Sequence, residues 1–318
     1  MRALVVFLLI ISCLQGTAHA QEKSPDTVSA GIYITSIHNI DFKQKEYTAT
    51  FWLWLKYTNP DLDFVNNLEV PNAKSVEKSF FTIDTTGHQI YMQMKMQCVM
   101  KDSWRIENFP FDEQKLRISL ENSQFDASSL IFVTDTLGEH FDPRFTLRGW
   151  NIDSCIITSG KRVYETAFGN PTAEKQETEY SVFRVRLSIT HQAAGLFWKM
   201  FLGMYLAFLI SFICFYIHSD SMDSRFGLSV GALFAVVGNK YINDSALPDS
   251  TVFTLVDLLH GLTLLYILLI VAANAYSLKL IKRGQVEKSV RVDNWVAMIL
   301  LVSYVLINIW LIYQAKKG

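Results

Sequence analysis

The stretch EYTATFWLWLKY, residues 46–57, decides the first half of the chain. Its odd positions, Tyr47, Ala49, Phe51, Leu53, Leu55 and Tyr57, form one apolar face. Its even positions, Thr48, Thr50, Trp52, Trp54 and Lys56, form the other. That alternation has the period of a half-buried β-strand. IYMQMKMQCVM (90–100) repeats it, with Met92, Met94, Met96, Cys98 and Met100 on one side, and KLRISLE and SVFRVRLSIT continue it. Many short antiparallel strands, each with one wet face, predict an all-β, immunoglobulin-like sandwich over residues 21–192.

Near residue 193 the grammar changes to long apolar runs at 194–217, 226–243, 251–277 and 293–314, each long enough to cross about 30 Å of hydrocarbon. Residues 193–318 therefore predict a four-helix transmembrane bundle. No flexible linker separates the two parts between Gln192 and Gly195. Residues 1–20 read as an export signal: Arg2, the run ALVVFLLII, and AHA before Gln21. The competing reading is lipidation at Cys13. Export puts the sandwich in the periplasm or outside a bacterial inner (plasma) membrane. The 243–250 connection then lies outside and lacks Lys and Arg, whereas 278–292, LKLIKRGQVEKSVRV, is basic and lies inside.

The chain has 318 residues, half of them hydrophobic, and a formal net charge of -1, which gives no reason to expect nucleic acid. The common enzyme motifs are missing, and His38, His88, His140 and His191 show no metal-like spacing, so neither an enzyme nor a cofactor or metal site is expected. An anchored exported enzyme is the least favoured reading. Cys98 and Cys155 either pair in an oxidising compartment or remain buried thiols.

The segment RFGLSVGALFAVVGNKYIND (225–244) is unlike its apolar neighbours. At helical spacing Gly227, Gly231, Phe234, Gly238 and Tyr241 form one stripe. Close helix packing through a small-x-x-x-small motif is one reading. A water-facing pore wall, with Phe234 as a hydrophobic constriction, is the other. Asn239 and Lys240, costly in lipid without water or a partner, favour the second. A pore needs several copies around an axis. Asp257 and His260, three residues apart in the third segment, suggest a hydrogen-bonded pair.

WRIENFPFDEQKLRISLENS (104–123), with FPFDEQ at its centre, resembles the signature loop of pentameric ligand-gated ion channels, the Cys-loop receptor family. The order of sandwich, three closely spaced helices, connection and final helix is similar to that family, as is ALP at 246–248. In animal members a disulfide closes the loop; the matching positions are Asp102 and Leu116, so the resemblance is to the prokaryotic type. It departs from the family in lacking a proline near Met204, in Gln192 where a basic residue is usual, and in a degenerate VPNAKSVEKS.

The resemblance implies a homopentamer, each subunit meeting four identical subunits and membrane lipid, with a small-molecule ligand between subunits and permeant ions on the axis. Coupling falls to Phe109, Pro110, Phe111 and Asp112 of the loop and to Pro248. Ligand contacts fall to Trp52, Trp54, Phe81, Phe125, Tyr164 and Tyr180. Ser123, where acetylcholine receptors commonly carry tryptophan, argues against that ligand. Glu165, Glu174, Glu177 and Glu179 near the capping loop suit an amine or a proton. The pore is lined by Asp223, Gly227, Gly231, Phe234, Gly238 and Tyr241; a ring of Asp223, with Asp220 beside it, favours cations, and Arg225 turns away or pairs with an acid. The alternative is a non-conducting ligand-binding membrane receptor of the same fold.

Overall fold

The computed structural model describes residues 24–142, 144, 146–169, 176–218 and 221–317. The export segment 1–20, Asp220 and the capping-loop tip with Glu174 lie outside these.

Among the described residues, nine strands form two sheets. The first has the order β4-β5-β2-β1-β7, from β4 (Ala73–Thr86), β5 (Gln89–Lys101), β2 (Glu46–Tyr57), β1 (Asp26–Asp41) and β7 (Leu130–Thr134). The second has the order β3-β6-β9-β8, from β3 (Leu68–Glu69), β6 (Glu113–Asn122), β9 (Thr178–His191) and β8 (Trp150–Tyr164). All six odd residues of β2 are buried, as are Met92, Met94, Met96, Cys98 and Met100 of β5. They meet Leu116, Ile118, Leu120, Phe183, Val185 and Leu187 of the opposite sheet in one core. β2 and β5 pair antiparallel from Glu46↔Lys101 to Tyr57↔Ile90 without a break, which keeps both apolar faces on the same side. Cys98 and Cys155 are both free thiols.

A short helix, α1 (Phe64–Asn67), connects β2 to β3. After β9 the chain enters α2 (Ala193–Phe212) at once, with Gln192 as N-cap, and a 3-10 turn follows at Ile213–Tyr216. Then come α3 (Met222–Ala246), α4 (Leu255–Lys282) and α5 (Val286–Lys317). Among the described residues, three segments are long and apolar enough to cross a membrane: Ala193–Tyr216, Leu255–Lys282 and Val286–Lys317. α3 is a 25-residue helix but is not among them. Its three glycines, with Asn239, Lys240 and Asn243 near its end, set it apart from the other three.

The basic connection expected over 278–292 is shorter. α4 continues to Lys282 and α5 begins at Val286, leaving Arg283 to Gln285 between them. The lysines and valines there are helix-compatible, and Gly284 adopts φ 77° at the turn, a backbone region open to glycine.

Candidate functional site

α3 packs one face inward. Arg225, Ser229, Ala232, Val236 and Asn243 are buried, and Asn243 Nδ2 donates to Met200 O of α2 at 3.1 Å. The other face stays uncovered within the subunit. A Cβ built on Gly227, Gly231 or Gly238 meets nothing within 4 Å. Phe234 is 69% and Tyr241 77% exposed between them. Asp223, in the first helical turn, is also exposed. Arg225 turns the opposite way and pairs with Asp293 of α5 at 2.8 Å.

Asn239 and Lys240 do not belong to the uncovered face. Asn239 Oδ1 lies 2.9 Å from His260 Nε2, and Lys240 Nζ donates to Asp257 at 2.7 Å and to Asp244 at 2.7 Å. Asp257 and His260 therefore bond to α3 rather than to each other. Asp257 is otherwise occupied in a capping box with Thr254, and His260 reaches Val256 O. One helical turn separates the two side chains along α4, and each finds a closer partner across the helix pair.

The signature loop lies on the top of the helices. Phe109 is buried with Ile106 against Met200, Phe201, Leu247 and Leu255. Phe111 stacks on Phe197 of α2 at 5.7 Å, and Lys316 of α5 sits 5.1 Å over the Phe111 ring. The N–H of Leu255, first residue of α4, donates to Glu107 O at 2.8 Å, so the loop is bonded to a helix start. Pro110 connects the two phenylalanines, and Pro248 is buried near Ile106 in the α3–α4 connection. At the base of the loop, Arg117 holds Asp102 through a two-point ion pair. Leu116, the other matching position, points into the sandwich core.

The Asp112 carboxylate accepts from the Gln114 amide. Burial pushes the carboxyl up to about 6, with nearby Glu107 acting in the same direction. His191, at the end of β9, stacks on Trp150 at 3.5 Å and meets Phe109 edge-on at 5.0 Å. Burial pushes its imidazole down to about 4.

The aromatic residues expected to bind ligand divide between the two sheets. Tyr164 and Tyr180 lie 5.8 Å apart on β8 and β9, with Phe168 at 5.5 and 6.2 Å completing a cluster. Beneath it, Glu121 is buried, accepts from Tyr164 Oη at 2.9 Å and pairs with Arg162 at 2.6 Å. Burial raises the Glu121 carboxyl despite both partners. Trp52, Trp54 and Phe81 are on the other sheet, and Phe125 packs against the core. Trp54 is satisfied within its own subunit. Its indole covers Gly31, where a Cβ would come within 2.3 Å, and its N–H donates to Asp135 at 2.9 Å. Trp52 and Phe81 remain outward, Phe81 being 57% exposed. The two groups of aromatic residues thus lie on different sheets of the sandwich.

Glu121, Arg162, Phe168 and His191 escaped the sequence reading. Glu121 occupies an outward position of an alternating strand, and nothing local announces that β8 covers it. His191 was visible only as one of four histidines without metal spacing.

No family model matches the chain. Over 250 residues, 68% of its length, it is 22% identical to "pH-sensitive chloride channel 2" of Drosophila melanogaster. Over 271 residues, 76% of its length, it is 18% identical to "Gamma-aminobutyric acid receptor subunit gamma-4" of Gallus gallus. These matches cover 46% and 56% of the relatives, so the chain spans about half the length of the curated relatives it matches. Both relatives are named as a channel or a receptor subunit, and neither as an enzyme.

Proposed function

We propose that the chain is a subunit of a homopentameric ligand-gated ion channel of the Cys-loop receptor superfamily, of the prokaryotic type without a loop disulfide. The membrane is a bacterial inner membrane, with the sandwich in the periplasm and four helices, α3 included, across the bilayer. The observation that carries this reading is the uncovered edge of α3. Three glycines and two aromatic rings of α3 face away from the helix bundle, and among the described residues α3 is the one of the four helices after β9 that is not apolar enough to count as a membrane span. Copies of that edge around an axis give a water-facing wall with Phe234 as its narrow ring. Similarity to two channel and receptor subunits supports the same reading.

Ligand binds where Tyr164, Phe168 and Tyr180 of one subunit meet Trp52 of the next. Glu121 and the glutamates near the capping loop favour an amine, with the aromatic faces adding cation–π attraction. Binding moves β9, and the movement reaches α2 directly through His191 and Gln192. Asp223 leaves carboxylates at the inner mouth while Arg225 is withdrawn into its pair with Asp293, which favours cations. The relative from Drosophila melanogaster is named as a chloride channel, which favours chloride instead.

Purified protein in planar bilayers tests the reading. Ligand-gated unitary currents that reverse toward the cation potential in a salt gradient support it, with Asp223→Ala weakening that preference. Reversal at the chloride potential rejects the cation assignment. Folded pentamers that bind amines and carry no current favour the non-conducting receptor.

A further inference from the structure

Two buried polar atoms at the domain junction face each other without a hydrogen bond. Asp112 Oδ1 of the signature loop and His191 Nε2 at the end of β9 are 3.8 Å apart, with side chains 3% and 6% exposed. Each is buried and unpartnered. Leaving one such group unmade costs free energy, and two within a short movement of each other form an incomplete interaction. The surroundings fix both groups. The other Asp112 oxygen is held by Gln114, and the imidazole lies between Trp150, Phe42 and Phe109.

We infer that Asp112 and His191 together form a binding site for one proton, and that its occupancy ties the signature loop to the entry of α2. Without the proton, and with the neutral imidazole carrying its hydrogen on Nδ1, the carboxylate faces a bare ring nitrogen; both are then acceptors, and they stand apart. One proton, carried by either group, turns the contact into a donor–acceptor pair. The net charge of the site goes from -1 to zero without covalent change. A hydrogen bond requires about 2.7–3.0 Å, so closure shortens the gap by close to 1 Å. The loop is bonded to α4 through Glu107 and Leu255, and His191 is two residues from the first residue of α2, so that movement acts on two helices.

The surroundings suit a single shared proton. A pocket of about 300 Å³ lined by Phe111, Asp112, Thr190, His191, Ala193 and Lys316 connects the pair to the outside. The charged neighbours on the larger adjoining pocket are Asp102, Arg105, Glu107, Glu113, Lys115 and Arg117 of the loop, its base and β6, Arg186 of β9 and Lys316 of α5. The β1–β2 turn, β8 and α2 present Phe42, Trp150 and Phe197, which do not titrate. The raised carboxyl and the lowered imidazole both follow from burial, which disfavours the charged form of each group.

The regulatory part rests on the channel reading; the proton site does not. The test uses the full chain in lipid nanodiscs, following the infrared band of a protonated carboxyl against pH, beside current–pH curves in bilayers. Wild type should show one band titrating near pH 6. Asp112→Asn should remove it, and His191→Gln should displace its midpoint by about one unit or more. The current–pH curve of His191→Gln should move with the band. A band that survives Asp112→Asn, or a midpoint unchanged in His191→Gln, overturns the site. Currents that ignore the displaced midpoint overturn its regulatory role. A titrating band in a protein that never conducts removes the channel reading and leaves the site standing.

Discussion

Arg225 of α3 and Asp293 of α5 are joined at 2.8 Å with side chains 2% and 3% exposed. The guanidinium also donates to Ile217 O, so it connects α3, α5 and the end of the 3-10 turn. Ser277 of α4 donates to the same carboxylate at 3.2 Å. Removing one partner leaves a buried charge uncompensated. Arg225→Ala should destabilise the protein by about 3–5 kcal/mol. The double replacement Arg225→Met with Asp293→Leu should recover most of the loss, because two apolar side chains leave no orphan charge. Thermal unfolding of detergent-solubilised protein, followed by size exclusion, measures both. A mild Arg225→Ala would mean that water reaches the pair.

The uncovered face of α3 gives a second expectation. Gly231 is mid-helix, and an added Cβ meets nothing within the subunit. Gly231→Ala should therefore stabilise an isolated subunit by about 1 kcal/mol through helix propensity. Gly231→Leu should leave the melting temperature near wild type and, on the proposed channel reading, sharply reduce unitary conductance by filling the pore axis. If Gly231→Leu instead prevents assembly, the glycine edge is a packing surface between subunits.

How much of this was readable beforehand follows from the range of each interaction. The buried faces of β2 and β5 were legible residue by residue, since period-two alternation is local and both strands alternate without interruption. The stripe from Gly227 to Tyr241 was legible for the same reason at helical spacing. Pairings made by the fold were not. Trp54 reads as an exposed indole until Asp135, 81 residues away, arrives beside it. Asn239 and Lys240 read as water-facing until α4 supplies His260 and Asp257. The true extent of α4 was hidden because a basic, lysine-rich segment has similar composition whether it forms a loop or the exposed end of a helix.

At the base of the signature loop, Asp102 is almost wholly buried and its two oxygens meet the Arg117 guanidinium. This pair ties the two ends of the loop together. Arg117→Ala should cost about 1.5–3 kcal/mol, the usual range for a hydrogen bond to a charged group. Arg117→Lys should restore only part, since an ammonium lacks the two-point fork. Chemical denaturation of the full chain compares them. Equal stability of all three would show that the pair contributes nothing to the loop.

The expected aromatic site makes a prediction about its charged floor. Glu121 is held by Tyr164 and Arg162, so Glu121→Gln removes the carboxylate while keeping the hydrogen-bonding shape. If an amine binds there, Glu121→Gln should weaken amine binding by about tenfold or more, equal to about 1.4 kcal/mol. Tyr164→Phe should weaken it less, because the ring remains. Calorimetric titration with a panel of small amines reads both. An affinity indifferent to Glu121→Gln would put the ligand elsewhere.

Asp112 and His191 give stability a pH dependence whose two parts oppose each other. The Asp112 carboxyl is raised from 3.8 to about 6, so its contribution is fully present below pH 3.8 and is lost as pH rises through about 6. The His191 imidazole is lowered from 6.5 to about 4, so its contribution is present above pH 6.5 and is lost as pH falls through about 4. Between these limits acid favours the fold through one group and disfavours it through the other, and the pair in wild type should nearly cancel. The single variants separate the parts. His191→Gln keeps only the carboxyl and should gain stability on acidification from about pH 7.5 to about pH 4.5, while Asp112→Asn keeps only the imidazole and should lose it. Thermal midpoints of the two variants, each taken relative to wild type, should diverge by at least about 3 °C across that range. Parallel shifts in both would mean that the pair is hydrated and titrates as it would in the unfolded chain.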